Sequence, residues 1–357
     1  MADLGAFSEA YADARAKFLD AAGPRVRHYA HPEAGLFLDV ATIGDPAAPN
    51  VFAAGCGTHG IEGYSGSGAL THWLRSGVAK RLPRGTALVL FHAHNPWGFQ
   101  HRTRVTEENV DLNRNFVDWS KPRPANPGYA EVHPLITPER WDEATLADVF
   151  RRLAEYRARV GEQAFSDAFN AGQYSHADGI YYGGARVQWA NTAFRRAVTE
   201  NLAQARRVAF IDLHTGIGPR YDHVYLTFAP PGSAAYERAR AWWGERAVNR
   251  AGVTHKALAV YRGLLIDAFV EMLPRAEATT LVVEFGTLPR EGMQRASMLQ
   301  RWLRFAGPSA AQADPARIAA LQREYEEAFY PSEPRWREAV LAQSLEFLER
   351  GARGVSS

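Results

Sequence analysis

Within Gly57-Thr58-His59-Gly60-Ile61-Glu62-Gly63, an imidazole and a carboxylate stand three residues apart on a glycine-rich turn. Both are metal-ligand types, and the flanking glycines let the backbone bend until they converge on one ion. The spacing alone is weak. With 12 His and 39 acidic residues in a chain of 357, about one such pair arises by chance. Two later segments add weight: Val208-Ala-Phe-Ile-Asp-Leu runs into His214-Thr215-Gly216, and Thr280-Leu-Val-Val ends in Glu284-Phe285-Gly286-Thr287. A catalytic zinc takes three protein ligands and keeps a fourth position for water, which two His and one carboxylate satisfy. A separate carboxylate must then take the water's proton and pass it to the leaving amine. Glu284, closing an otherwise apolar strand, is costly to bury without a partner and fits that part.

Between these segments lies Arg102-Thr-Arg104-Val-Thr-Glu-Glu-Asn-Val-Asp-Leu-Asn113-Arg114-Asn115-Phe116. An adjacent Asn-Arg pair can grip a substrate carboxylate, the guanidinium as a bidentate clamp. A second arginine nearby can stabilise the oxyanion formed when water attacks an amide. Each residue also has a plainer reading. His59 and His214 are types that sit hydrogen-bonded at turns and strand ends, and Glu62 suits a helix N-terminus. Glu284 could pair with an arginine, and Arg114 could tie its loop to Asp111 or Asp118. His92, His94 and His101 lack a matching carboxylate nearby and read as core or rim residues; Cys56 reads as a small hydrophobe. Gly55-x-Gly57-x-x-Gly60 matches a dinucleotide fingerprint, yet residues 63 to 106 contain no Asp or Glu to bind a ribose. A serine-hydrolase elbow fails because Ser67 stands where the final glycine belongs.

The elements that must carry these residues follow from periodicity. Phe7 to Ala22 reads as a helix, then Val26 to His31 and Leu36 to Ile43 as strands. Val51 to Ala54, the glycine-rich turn and a helix beginning near Ser67 and running to Arg75 form a β-turn-α unit. Thr86 to Ala93 is a buried strand, and Val117 to Gly128 is irregular with three prolines. Residues 139 to 171 read as helical, and Gly172 to Gly184 as a Gly/Tyr-rich loop. Alternation resumes with a helix (Ala190–Ala205), strands (Arg207–Leu213 and His223–Phe228), a helix (Ala234–Ala251), a strand (Thr279–Phe285) and three closing helices (Met293–Arg304, Pro315–Phe329, Pro334–Arg350). The pattern predicts one domain over residues 1–357, an α/β/α sandwich with a mixed central sheet and a site-capping insertion near 117–185.

Composition sets the outer bounds. Hydrophobic residues make up 46% and charged residues 22% of the chain, enough for a sizeable core, and a net charge of +2 gives no reason to expect a nucleic-acid or membrane partner. One cysteine excludes an intrachain disulfide and a structural thiolate metal site. No signal peptide or membrane-length apolar run is evident, so a soluble cytoplasmic protein is expected.

Taken in order, His-x-x-Glu, Val-Asp-Leu-Asn-Arg-Asn-Phe, Asp-Leu-His-Thr-Gly and Val-Glu-Phe-Gly resemble the zinc carboxypeptidase (M14-like) superfamily. The likeness spans roughly residues 36 to 300 and is nearest to a bacterial branch labelled as a domain of unknown function (DUF2817-like). The succinylglutamate desuccinylase and aspartoacylase deacylases are related branches. The resemblance implies that His59, Glu62 and His214 bind Zn2+ and that Glu284 is the general base. It implies further that Asn113 and Arg114 hold a carboxylate, and that Arg104, or Arg102 two residues before it, polarises the scissile carbonyl. For the mobile-loop tyrosine of the digestive enzymes, Tyr181 and Tyr182 are candidates by composition alone. The expected activity is amide hydrolysis, either release of a C-terminal residue from a peptide or deacylation of an N-acyl amino acid. A non-catalytic binding protein on the same fold is the alternative of another class. It predicts a lost ligand or base, and none is lost here.

Overall fold

Side chains alternate across each strand of a single sheet, and each face buries its own apolar cluster. In the computed structural model, which describes residues 3–248 and 259–357, the strands are β1 (Val26–Ala30), β2 (Phe37–Ile43), β3 (Asn50–Cys56), β4 (Thr86–His92), β5 (Arg207–Thr215), β6 (His223–Leu226) and β7 (Glu277–Phe285). Their spatial order is β1-β2-β4-β3-β5-β7-β6. The centre, β4-β3-β5-β7, is parallel, while β1 and β2 on one side and β6 on the other add antiparallel pairs.

Val51, Ala53, Val89, Phe91, Val208 and Phe210 face the helices Trp189–Leu202 and Leu265–Glu271. There Phe210 stacks on Phe269 with centroids 4.2 Å apart. Phe52, Ala54, Leu88, Leu90, Ile211 and Leu213 point the other way, into a cluster shared with the helices Tyr11–Ala22, Gly63–Arg75 and Pro334–Gly354. At about 1.5–3 kcal/mol per fully buried large apolar side chain, both clusters contribute heavily, and neither helix layer can be stripped cheaply. The fold is therefore a three-layer α/β/α sandwich with a mixed central sheet.

Several boundaries differ from the sequence reading. The helix expected over Ala234–Ala251 stops at Trp243, because Gly244 turns left-handed (φ +88°) and its N–H bonds back to Arg240. A short 3-10 turn, Glu245–Ala247, follows, and the rest of that expectation lies outside the described residues. The irregular stretch ends at Asn126. Pro127 opens an unforeseen helix, Pro127–Ile136, where proline's missing N–H costs nothing in the first turn. Two more helices, Glu143–Val160 and Glu162–Asn170, complete this region. Short helices at Leu265–Glu271 and Gly307–Ala313 were also unforeseen, and the helix after the glycine-rich turn starts at Gly63 rather than Ser67. No described helix is long and apolar enough to cross a membrane.

Candidate metal centre

The turn after β3 is glycine-rich because it has no room. A Cβ on Gly60 would lie 1.9 Å from the backbone of Gly98. Pressed there, the turn is hydrogen-bonded to the arginine loop: Gly60 N–H donates to the Arg104 carbonyl (3.3 Å) and Ile61 N–H to that of Thr103 (3.0 Å). These two bonds set Arg104 beside the turn. Glu62 then takes the position just before the helix Gly63–Arg75, its side chain making no bond to the helix end. On the parallel pair β5–β7, His214 is in register with Glu284, so both leave the same face about 5 Å apart along the sheet.

His59, Glu62 and His214 converge. His59 Nδ1 and His214 Nδ1 are 3.1 Å apart, and each lies 3.0 Å from a Glu62 carboxylate oxygen. Among the described residues this is the one group of three His, Cys, Asp or Glu side chains able to share an ion. Four-coordinate zinc with bonds near 2.0–2.1 Å separates its ligands by about 3.3 Å, so the triangle needs only a slight expansion to take the ion. The side chains are 4, 1 and 2% exposed.

Behind the ligands stand two further buried carboxylates. Asp212 Oδ2 lies 2.7 Å from His214 Nε2, which fixes that ring's N–H away from the site and turns Nδ1 inward. Asp212 also accepts from the Thr58 hydroxyl, itself 2.9 Å from His94 Nδ1. His59 Nε2 faces Asp111 Oδ1 at 3.2 Å and Arg104 Nη2 at 2.8 Å. Its proton can thus sit on Nε2 toward Asp111 or on Nδ1 toward Glu62. Two of the buried carboxylates, Glu62 and Asp111, share the single guanidinium of Arg104, a shortfall of positive charge that a bound cation would offset. His214 registers the same shortfall. Burial opposes its protonation, yet Asp212 and Glu62 hold its pKa well above the ordinary value. The donor set fits zinc.

Glu284 differs from its acidic neighbours. Burial foremost, with the nearby Glu62 charge, pushes its pKa up to about 7, against the pull of His214. Among the described residues one hydrogen bond reaches it, from the Ile217 N–H at 3.3 Å. Burial likewise opposes ionisation of Glu62, but His59, His214 and Arg104 hold its carboxyl below the usual range.

Of the two candidate arginines, Arg104 reaches the ligands. Its Nη1 donates to Glu62 at 2.7 Å, and Nε and Nη2 lie 3.3 and 3.2 Å from Asp111 Oδ2. Arg102 points away, pairing with Glu326 at 2.8 Å and lying over Tyr64. Arg114 is buried and pairs with neither Asp111 nor Asp118. Its terminal nitrogens donate to the carbonyls of Asn113 and Asn170, and Nε has no partner among the described residues. Asn113 Oδ1 accepts from the Leu265 N–H at 2.9 Å. The Tyr181 ring neighbours both guanidiniums, its centroid 5.4 Å from Arg104 Cζ and 5.6 Å from Arg114 Cζ. Tyr182 meets this region through its carbonyl, which accepts from Asp111 N–H. His92 and His94 are buried core residues, and burial pushes the Cys56 thiol up to about 12, consistent with an inert side chain.

Three residues at the site escaped the sequence reading. Asp212 carried a usable signal, since it precedes His214 by two and must share its face of the strand. Asp111 sits inside the Asn-Arg motif as the cap of the turn Leu112–Arg114. Tyr261, whose ring lies 4.8 Å from Arg114 Cζ, carried none. Its approach depends on the Phe116 N–H bonding to Gly263, a contact across 147 positions of chain.

Fold and site together define an α/β protein with a buried His-Glu-His centre of metal-binding type. The family described as "Protein of unknown function (DUF2817)" matches residues 7–343, and the chain belongs to that family. No curated protein sequence matches significantly. Solved structures similar to it include murein-tripeptide amidase MpaA from Escherichia coli O157, at 16% identity over 84% of this chain and 92% of that one, with a TM-score of 0.36. Carboxypeptidase A from Helicoverpa armigera is 12% identical over 90% and 74%, with a TM-score of 0.46. Succinylglutamate desuccinylase from Vibrio cholerae is 15% identical over 92% and 72%, with a TM-score of 0.40.

Proposed function

We propose that this protein is a zinc-dependent amide hydrolase of metallocarboxypeptidase type, releasing a terminal residue that bears a free carboxylate from a small peptide or peptide-like substrate. The observation that carries this reading is Arg114. A buried guanidinium with no carboxylate within ion-pair distance among the described residues, one tyrosine ring away from Arg104, calls for an anion from outside.

His59, Glu62 and His214 would hold the zinc, which when bound supplies a Lewis acid and water of lowered pKa. Glu284, with few hydrogen bonds and a raised pKa, takes the proton of the attacking water and returns it to the departing nitrogen. Arg104 has five N–H groups in a fixed fork, and those not committed to Glu62 and Asp111 stabilise charge developing on the carbonyl oxygen. Asn113 and Arg114 orient the carboxylate, and Asp111 and Asp212 hold the two imidazoles.

A second reading, deacylation of an N-acyl amino acid, draws on the depth of the site. Its ligands are nearly inaccessible, and Arg114 is held against Asn170 of the insertion, a setting that favours small substrates. Zinc-loaded protein assayed on N-acetyl amino acids and dipeptides, each with a free or an amidated carboxylate, tests both. Chelator-sensitive cleavage is expected. Amidation should lower kcat/KM by about 10- to 100-fold, the worth of hydrogen bonds to a charged group. Dipeptide cleavage favours the first reading, and cleavage of N-acetyl amino acids alone favours the second. Absence of any chelator-sensitive cleavage would overturn both.

A further inference from the structure

Tyr181 holds a backbone conformation that a bulky residue avoids, with φ +54°. Such strain persists where surrounding bonds over-determine the loop. Those bonds are present. Gln173 N–H donates to the Tyr181 carbonyl (3.2 Å), Asp111 N–H to that of Tyr182 (2.8 Å) and Gly183 N–H to that of Gln173 (2.8 Å). Ile180 N–H donates to the Tyr129 hydroxyl at 2.7 Å. The ring is held as well. Its hydroxyl lies 3.3 Å from Ser297 Oγ, and Phe169 packs edge-on with centroids 6.3 Å apart. Three anchor points, one on each side of the loop and one at the ring's tip, hold it close to both Arg104 and Arg114.

The proposal rests on the hydrolase reading. There, Arg104 faces the scissile carbonyl and Arg114 the carboxylate, so the Cα of the residue carrying that carboxylate must lie between them. The Tyr181 ring centroid lies 5.4 and 5.6 Å from the two guanidinium carbons, within reach of a residue that spans them. Tyr261 flanks Arg114 as a second aromatic wall. We propose that Tyr181 determines specificity, its immobile ring restricting the carboxylate-bearing residue to one with a small side chain. A larger side chain would have to displace the ring against its backbone bonds and the packing of Phe169.

The geometry supplies a fold-safe test. At φ +54° glycine is unstrained, so Y181G deletes the ring without demanding a new loop path. Y181F keeps the ring and drops only the hydroxyl. For wild type and both variants, loaded with zinc and checked by thermal melt, calorimetry would give the Kd of N-acetylglycine, N-acetylalanine and N-acetylphenylalanine, and the kcat/KM of each would be measured alongside. Wild type should favour the two small ligands over N-acetylphenylalanine by 10-fold or more. Y181G should shrink that ratio by 10-fold or more, mainly through tighter binding of the phenylalanine ligand, and Y181F should keep it. An unchanged ratio in Y181G, a wild-type preference for the bulky ligand, or failure of all three to bind would overturn the proposal. Binding that follows the expected ratios without turnover would sustain Tyr181 as the selector and count against the hydrolase reading alone.

Discussion

Replacing Asp212 by asparagine should weaken zinc binding by about 10- to 100-fold while leaving the fold in place. The Asp212 carboxylate is fully buried and 2.7 Å from His214 Nε2, and the Thr58 hydroxyl donates to it at 2.9 Å. Asparagine keeps the shape and an oxygen for one of these donors. It removes the full charge that makes His214 Nδ1 a better electron-pair donor and holds the ring's tautomer. Loss of such a partner typically costs 10- to 100-fold in metal affinity, or about 1.4–2.7 kcal/mol. Competition against a zinc chelator of known affinity would read the change, with circular dichroism and a melt of both metal-free proteins to check the fold. If D212N binds zinc within about two-fold of wild type and melts alike, Asp212 does not orient the ligand and the account of the second carboxylate layer is wrong.

E284Q should retain its zinc yet lose about 10²- to 10⁴-fold in kcat, the usual worth of a general base; a variant turning over at near wild-type rate would remove Glu284 from the mechanism. Because the base works only when deprotonated, wild-type kcat/KM should rise with pH along one limb. Burial raises Glu284 to about 7 and a nearby dication pulls it down, so the limb falls at or below about 7, and a profile that instead declines across this range would contradict the assignment. Burial also pushes His92 down to about 4, with its ring stacked on Phe18 and Nε2 at 2.9 Å from Ser67 Oγ. The unfolded chain takes up this proton near pH 6.5 and the folded chain only near 4. Stability should therefore fall with pH between them, by about 1.4 kcal/mol per unit from this group. In urea unfolding at pH 7 and pH 5, H92F should lose less stability than wild type; equal losses would argue against a neutral His92 in the fold.

The His59, Glu62 and His214 cluster was legible because a polar residue at or just after the end of an apolar strand stands out. Strand ends alone left the plainer readings of these residues and of Glu284 open, and the order of the four motifs is what singled them out. The strand order itself was hidden, since β6 follows β5 in the chain yet pairs with β7. The choice between Arg102 and Arg104 was likewise out of reach, because it is made by backbone bonds from a turn some forty residues earlier. Tyr181 and Tyr182 look alike in sequence and differ in the direction a left-handed backbone turns them. The helix Pro127–Ile136 hid behind prolines that break helices in the interior but open them at the first turn. Helix ends set by a single glycine, as at Gly244, are blurred when apolar periodicity runs on past them.

One arm of Arg114 is bonded to Asn113, on the loop that packs against the sheet, and the other to Asn170, at the end of the helix Glu162–Asn170. The guanidinium is therefore a seam between the turn Leu112–Arg114 and the helical stretch that separates β4 from β5. The candidate ligands and base lie on or just after strands, whereas Asn170 and Tyr181 lie in that stretch. On the proposed reading, substrate preference can change there while the strand-borne groups keep the reaction. The seam also limits that freedom on the same reading: a replacement for Asn170 must still offer Arg114 a carbonyl, or the proposed carboxylate anchor loses its aim.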